Sequence, residues 1–148
     1  MSRQRWLVVC VAVTVLIALT AVALAAPRRL GYVVDGDTVR LRSGTYVRFI
    51  GLDAPETDAC GGPASERAMN RLVEGVIRIK RPAGYDNTDR YGRLLRYVHD
   101  RSRDTGRALI KRGFARNYEA FPHPRQARYE RAERRAHRAN RGLWRTCW

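Results

Sequence analysis

Lysine is nearly missing from this chain. Of its 29 basic residues only Lys80 and Lys111 are lysines, and the other 27 are arginines. Acids are scarce as well, 14 in all, so the net charge is +15. A small domain this basic favours polyanions, either nucleic acid or acidic membrane surfaces. An arginine bias of this kind also follows from genome composition, so charge alone does not choose between them. Histidine and cysteine are few and dispersed. His99, His123 and His137 are scattered and no Cys/His cluster with metal spacing exists, which argues against a zinc site. Internal repeats and low-complexity linkers are absent, in keeping with one domain around one core.

Charge is absent altogether from Leu7 to Ala26, where Thr14 and Thr20 are the only hydroxyl residues. Arg3 and Arg5 precede this run, and Ala23-Leu24-Ala25 and Leu24-Ala25-Ala26 supply small residues at its end. Residues 1–26 are therefore expected to be a secretory signal peptide. The run also has the roughly 20 residues a bilayer span requires, so an uncleaved signal-anchor stays open. The expectation is a secreted, periplasmic or cell-envelope protein, with membrane anchoring through residues 7–26 as the alternative, and one domain over residues 27–148. Loss of Arg3 and Arg5 would lower the charge from +15 to +13, since the leader holds no acid.

Of three cysteines, Cys10 lies in the leader, too early in the apolar run for a lipoprotein cleavage site. Cys60 and Cys147 remain, an even pair for an oxidising compartment. A disulfide between them is expected. Two unpaired thiols or a bond between molecules stay open, because nothing in the sequence brings the two Cα atoms within reach.

Between Tyr32 and Val98 the pattern predicts five short strands. Tyr32-Val33-Val34 and Thr38-Val39-Arg40-Leu41 flank the bend Asp35-Gly36-Asp37. Thr45 to Ile50 follows, with Tyr46, Arg48 and Ile50 on one face and Val47 and Phe49 on the other. Val76 to Ile79 and Leu94 to Val98 complete the set, the last ended by a charged turn from His99 to Arg103. A helix opens at Pro63, carries Ala64, Ala68, Met69, Leu72 and Val73 on one stripe, and ends at Gly75. Asp104 can cap a second, short helix through Lys111, closed by Gly113. The last helix runs from about Arg125 to Arg141, its narrow apolar face made of Tyr129, Ala132, Ala136, Ala139 and Leu143. This points to a small barrel with three helices packed on it, without fixing the topology.

Three clusters carry candidate chemistry. Asp35-Gly36-Asp37-Thr38 aims two carboxylates from one bend, as a hard cation requires, although an ordinary Asp-Gly turn reads the same way. Arg48 precedes Asp53-Ala54-Pro55-Glu56-Thr57, where Pro55 holds Ala54 extended and so fixes where Asp53 and the Ala54 carbonyl point. Asp89-Arg90-Tyr91-Gly92-Arg93 places an acid, an aromatic ring and two arginines before a strand. Together they hold the parts phosphoryl transfer needs: acids for a cation and a base, and two guanidinium forks.

With these three motifs in order, the chain resembles the staphylococcal nuclease (thermonuclease) family. The matching segments are Val34 to Val39, Arg48 to Thr57 and Asp89 to Arg93, with weaker matches at Gly113-Phe114-Ala115 and Gly142-Leu143-Trp144. The resemblance spans about Leu30 to Trp144. It implies a mainly β fold, a five-stranded OB-fold barrel with three α-helices. It implies a calcium ion (Ca2+) held by Asp37, Asp53 and the main-chain carbonyl of Ala54, and catalytic roles for Arg48, Glu56 and Arg93. The implied reaction is hydrolysis of phosphodiester bonds in DNA or RNA, with no protein partner required. Two aromatics near the substrate follow the second helix in the best-known member; here Tyr118 and Phe121 are the candidates. A non-catalytic OB-fold that binds single strands is the alternative. A basic protein bound to anionic lipid is a further one, which would not need the three motifs.

Overall fold

The computed structural model describes residues 27–148; the apolar leader lies outside the described residues. Strand β1 (Pro27–Val33) serves two neighbours. Its first half, Pro27 to Arg29, pairs antiparallel with β5 (Val76–Lys80), and its second half pairs with β2 (Thr38–Leu41). The register shifts between Leu30 and Tyr32 at Gly31, where an added Cβ would lie 2.9 Å from the Arg40 carbonyl oxygen. A bulge at a glycine lets one strand turn a barrel corner.

From β2 the chain turns into β3 (Tyr46–Phe49), antiparallel, with Thr38 opposite Arg48. Strand β6 (Leu94–Asp100) pairs antiparallel with β5 and parallel with β3, placing Arg48 opposite Leu95. That last pairing closes five strands into a barrel. Two short ladders complete the sheet structure: β4 (Leu52–Asp53) with β8 (Arg116–Asn117), and β7 (Arg103–Asp104) on the end of β6. The three helices are α1 (Gly62–Asn70), α2 (Thr105–Lys111) and α3 (Gln126–Arg138), followed by a 3-10 turn at Gly142–Arg145. The five-stranded OB-fold barrel with three helices expected from the resemblance is present.

The core fills the barrel with Val39, Val47, Phe49, Leu52, Ile77 and Val98, and α1 and α2 cover one end with Met69, Leu109 and Ile110. Several boundaries differ from the sequence reading. The first helix stops at Asn70, and Leu72 and Val73 reach the core from the turn after it, where both amides bond the Met69 carbonyl. Strand β6 runs on through His99 to Asp100, and the turn is confined to Arg101 and Ser102. Ile50 is buried instead of sharing the exposed face of Tyr46, because the strand ends at Phe49 and a turn redirects it inward. The last helix ends at Arg138; Ala139 is exposed, and Leu143 reaches the interior from the 3-10 turn. Asn140 at φ 46° breaks the helix between them.

Candidate active site

The bend Asp35-Gly36-Asp37 is held by its own side chain: the Asp37 amide donates to Asp35 Oδ1 at 2.8 Å. Gly36 is required by space. An added Cβ would stand 2.0 Å from Ser65 Oγ and 2.5 Å from the Ala54 Cβ. Only a glycine lets the bend press against α1 and the Asp53–Ala54 segment, and this contact carries Asp37 to the second motif.

Asp37 is buried. Its Oδ2 accepts the Ala54 amide at 3.1 Å and faces Arg48 Nη2 at 3.1 Å, and its Oδ1 accepts the Thr38 hydroxyl at 2.9 Å. Burial pushes its pKa from 3.8 up to about 7; Arg48 pulls it down and Asp35 pushes it further up. One guanidinium thus does not offset the cost of burying this carboxylate.

Arg48 sits on β3 with its guanidinium under the following turn. Its Nη1 donates to the Phe49 carbonyl at 3.0 Å and to the Leu52 carbonyl at 2.6 Å. Carbonyls and Asp37 together fix the fork, so little rotamer freedom is left to lose on binding a phosphate. Arg93 is held differently. Asp89 Oδ2 accepts its Nε at 2.7 Å, while Asp89 Oδ1 accepts the backbone amides of Tyr91 at 2.9 Å and Arg93 at 3.0 Å. Burial raises the Asp89 pKa, but these hydrogen bonds outweigh it and hold the carboxyl below its usual range. Arg93 Nη1 then meets Thr38 Oγ1 at 3.4 Å. Thr38 is therefore the link between the two arginines, through Asp37.

The structure brings together Asp37, Arg48, Ala54 and Arg93. Asp53, half-buried on β4, lies beside this set through the Ala54 amide bonded to Asp37. Glu56 is exposed in the turn that follows, and among the described residues only its carbonyl is engaged, by the Ala59 amide at 3.0 Å. A group of three or more acidic, histidine or cysteine side chains at metal-binding spacing is absent among the described residues. The expected donor set contains only two carboxylates and a carbonyl, all hard oxygens suited to calcium.

The two arginines line a groove of about 770 Å³ that also contains Asp89, Tyr91, Tyr118 and Phe121. Tyr118 and Phe121, the two aromatic candidates, have centroids 5.9 Å apart and both line the groove. Tyr85 lines it too. Sequence reasoning passed over Tyr85 because a single tyrosine in a polar loop has no periodicity. It also missed Thr38 and Asp89 as positioning residues, since neither signals its partner by spacing.

The Cys60–Cys147 disulfide is formed, with the Cα atoms 5.7 Å apart. It ties the loop following Glu56 to the C-terminal segment.

Residues 46–146 match the family model described as staphylococcal nuclease homologue. The thermonuclease of Staphylococcus hyicus is 32% identical over 125 residues, covering 76% of this chain and 72% of that protein. The SPbeta prophage-derived endonuclease YokF of Bacillus subtilis is 36% identical over 96 residues, 56% of this chain and 31% of its own length. A probable endonuclease LCL3 of Paracoccidioides brasiliensis is 31% identical over 115 residues, 67% of this chain and 34% of its own length. The chain thus spans about a third of the length of these last two relatives.

Proposed function

The chain belongs to the staphylococcal nuclease family, and from that premise we propose that it is a calcium-dependent endonuclease hydrolysing phosphodiester bonds of DNA, RNA or both. The observation that carries this reading is the placing of two anchored guanidinium groups around one buried carboxylate, Arg48 on Asp37 directly at 3.1 Å and Arg93 through Thr38 at 3.4 Å. Relatives named thermonuclease and endonuclease support the reaction class.

Asp37, Asp53 and the Ala54 carbonyl would hold the ion, which supplies a Lewis acid for a non-bridging phosphate oxygen. Arg48 and Arg93 bind the remaining phosphate oxygens with bidentate hydrogen bonds and oppose the charge that grows in the transition state. Their fixed partners keep them in place, so little reorganisation is needed. Glu56, solvent-facing and without a side-chain partner among the described residues, accepts the proton of the attacking water. Tyr85, Tyr118 and Phe121 offer ring faces to the bases beside the scissile bond. The apolar leader supports export, either free or held at the membrane.

The test is digestion of plasmid DNA and single-stranded RNA with calcium and with a chelator. Cutting in calcium that stops in chelator is the expected result, with magnesium a weaker support because of its strict octahedral demand. Full cutting in excess chelator would overturn the calcium assignment. Binding without cutting under either condition would favour a non-catalytic OB-fold.

A further inference from the structure

A second, larger cleft of about 870 Å³ lies between α2 and the corner formed by α3 and the 3-10 turn. It shares no lining residue with the groove that holds Arg48 and Arg93. Arg103, Arg107, Lys111 and Arg112 line it from the α2 side, and Arg128, Arg141 and Arg145 from the other. Its single acid, Asp104, is already used: it caps α2 through the Arg107 amide at 3.1 Å, pairs with Arg125 at 2.8 Å and accepts the Tyr129 hydroxyl at 2.9 Å.

None of the seven cations has an ion-pair partner among the described residues, where the pairs are Arg48–Asp37, Arg93–Asp89, Arg125–Asp104 and Arg134–Glu130. The Arg141 side chain bonds, among the described residues, only the Lys111 carbonyl, at 3.3 Å. The Nε of Arg107 is enclosed without any hydrogen-bond acceptor. Seven like charges line one cleft and repel one another, the more so where the wall shields them from salt. An enclosed, unpaired guanidinium donor adds a further cost. Both costs are relieved by an anion of several charges.

We propose that this cleft is a second nucleic-acid site, gripping the sugar-phosphate backbone of the substrate away from the scissile bond. It rests on the nuclease reading above. A concave cationic channel follows a phosphate chain, whereas a membrane-binding face presents exposed apolar side chains among its cations. The exposed large apolar residues, Tyr32, Tyr46, Val76, Tyr91 and Phe121, all lie elsewhere. The lining is also almost without aromatic rings, so the contact is with backbone phosphates and carries no base preference.

The experiment uses the triple variant Lys111→Gln, Arg112→Gln, Arg145→Gln. All three side chains are exposed, and none belongs to the proposed catalytic set. A control, Arg28→Gln, Arg42→Gln, Arg67→Gln, removes the same charge from exposed positions outside the cleft. Affinity for fluorescent single-stranded oligonucleotides of about 30 and 4 nucleotides is measured in chelator over a salt series. The cleft variant is expected to bind the long strand about 10–100-fold more weakly, with a salt slope shallower by roughly 2. It should bind the short strand within about twofold of the parent, and cut it in calcium at an unchanged kcat. Equal loss on both lengths, equal loss in the control, or no loss at all overturns the cleft. So does a variant that keeps its nucleic-acid affinity but loses binding to phosphatidylserine vesicles. Length-dependent binding without any cutting leaves the cleft standing and removes the nuclease reading; cutting with an unaffected cleft variant does the reverse.

Discussion

At the scale of single residues, the site is built from side chains that hold one another before any substrate arrives. Arg48 is fixed by two carbonyls and Asp37, and Arg93 by Asp89. Replacing either arginine by alanine should therefore lower kcat by about 100-fold or more, as loss of an anchored transition-state donor does. Lysine at either position should restore little, because a point charge cannot make the paired contacts. Arg134, exposed on α3 and 3.8 Å from Glu130, is the comparison. Its alanine variant should keep kcat and change only salt-dependent binding, and equal damage from Arg134→Ala and Arg48→Ala would show that the site is misplaced. Gly36→Ala tests the approach of the first two motifs. Its Cβ would collide with Ser65 and Ala54, so thermal melts should show a loss of about 1–3 kcal/mol. Calcium binding, followed calorimetrically, should weaken beyond what stability explains.

Among the elements, the joint between β6, α2 and α3 is polar where a simple apolar stripe was legible. Asp104 caps α2 as the sequence proposed, yet the same carboxylate also takes Arg125 and the hydroxyl of Tyr129. Next to it, His123 is buried between Tyr97 and Asn117, with Nδ1 2.9 Å from the Tyr97 hydroxyl and Nε2 3.3 Å from Asn117 Oδ1. The Asn117 oxygen only accepts, so Nε2 carries the proton and Nδ1 accepts from Tyr97. Burial, and then the nearby Arg125, lower the His123 pKa below 6.5. A group that binds its proton less well when folded stabilises the fold above its unfolded pKa and loses that contribution as pH falls. His99, lowered by burial and by Arg125, acts in the same direction. The contribution of the two histidines should therefore hold between pH 8 and 7 and decline below about pH 6.5, the unfolded histidine value. Asp37, with its pKa raised by burial, works in the opposite sense, so the histidine part is read as the difference between the parent and a histidine variant. His123→Gln should be less stable at pH 7.5 and show a shallower acid decline. An unchanged slope in that variant would remove His123 from the account.

Two glycines illustrate how elements meet. Gly113 and Gly142 face each other, with the Leu143 amide donating to the Gly113 carbonyl at 2.8 Å. A Cβ on Gly113 would stand 2.0 Å from the Arg141 carbonyl oxygen. In the sequence these glycines mark only the ends of segments. In the structure their contact seats the C-terminal turn against α2.

For the molecule as a whole, the Cys60–Cys147 bond spans 87 residues of sequence and ties the C-terminal segment to the loop after Glu56. On the chain-entropy view such a closure stabilises the fold by about 4–5 kcal/mol. Replacing both cysteines by serine should lower stability by about 2–5 kcal/mol in denaturant melts. A thiol count under denaturing, non-reducing conditions should find Cys60 and Cys147 blocked, whereas two free thiols would exclude the bond. Reduction should also loosen the Glu56 loop, visible as faster amide exchange from Thr57 to Gly61, with the barrel strands unaffected.

The sequence by itself determined the five barrel strands, the three helices, and which acids and arginines are candidates for the chemistry. Those features are written locally: alternation in Thr38 to Leu41, a cap at Asp104, and three short motifs in a fixed order. Tertiary structure alone decided how they meet. The parallel pairing of β3 with β6 closes the barrel and brings Arg93 to Thr38, 55 residues away in the chain. The missing Cβ of Gly36 brings Asp37 to Ala54, and the burial that follows, not its place in the motif, lifts the Asp37 pKa to about 7. The unpaired cations of the second cleft were invisible for the same reason. Charge is counted along a sequence, but solvation, pairing and repulsion depend on distances that exist only once the chain has folded.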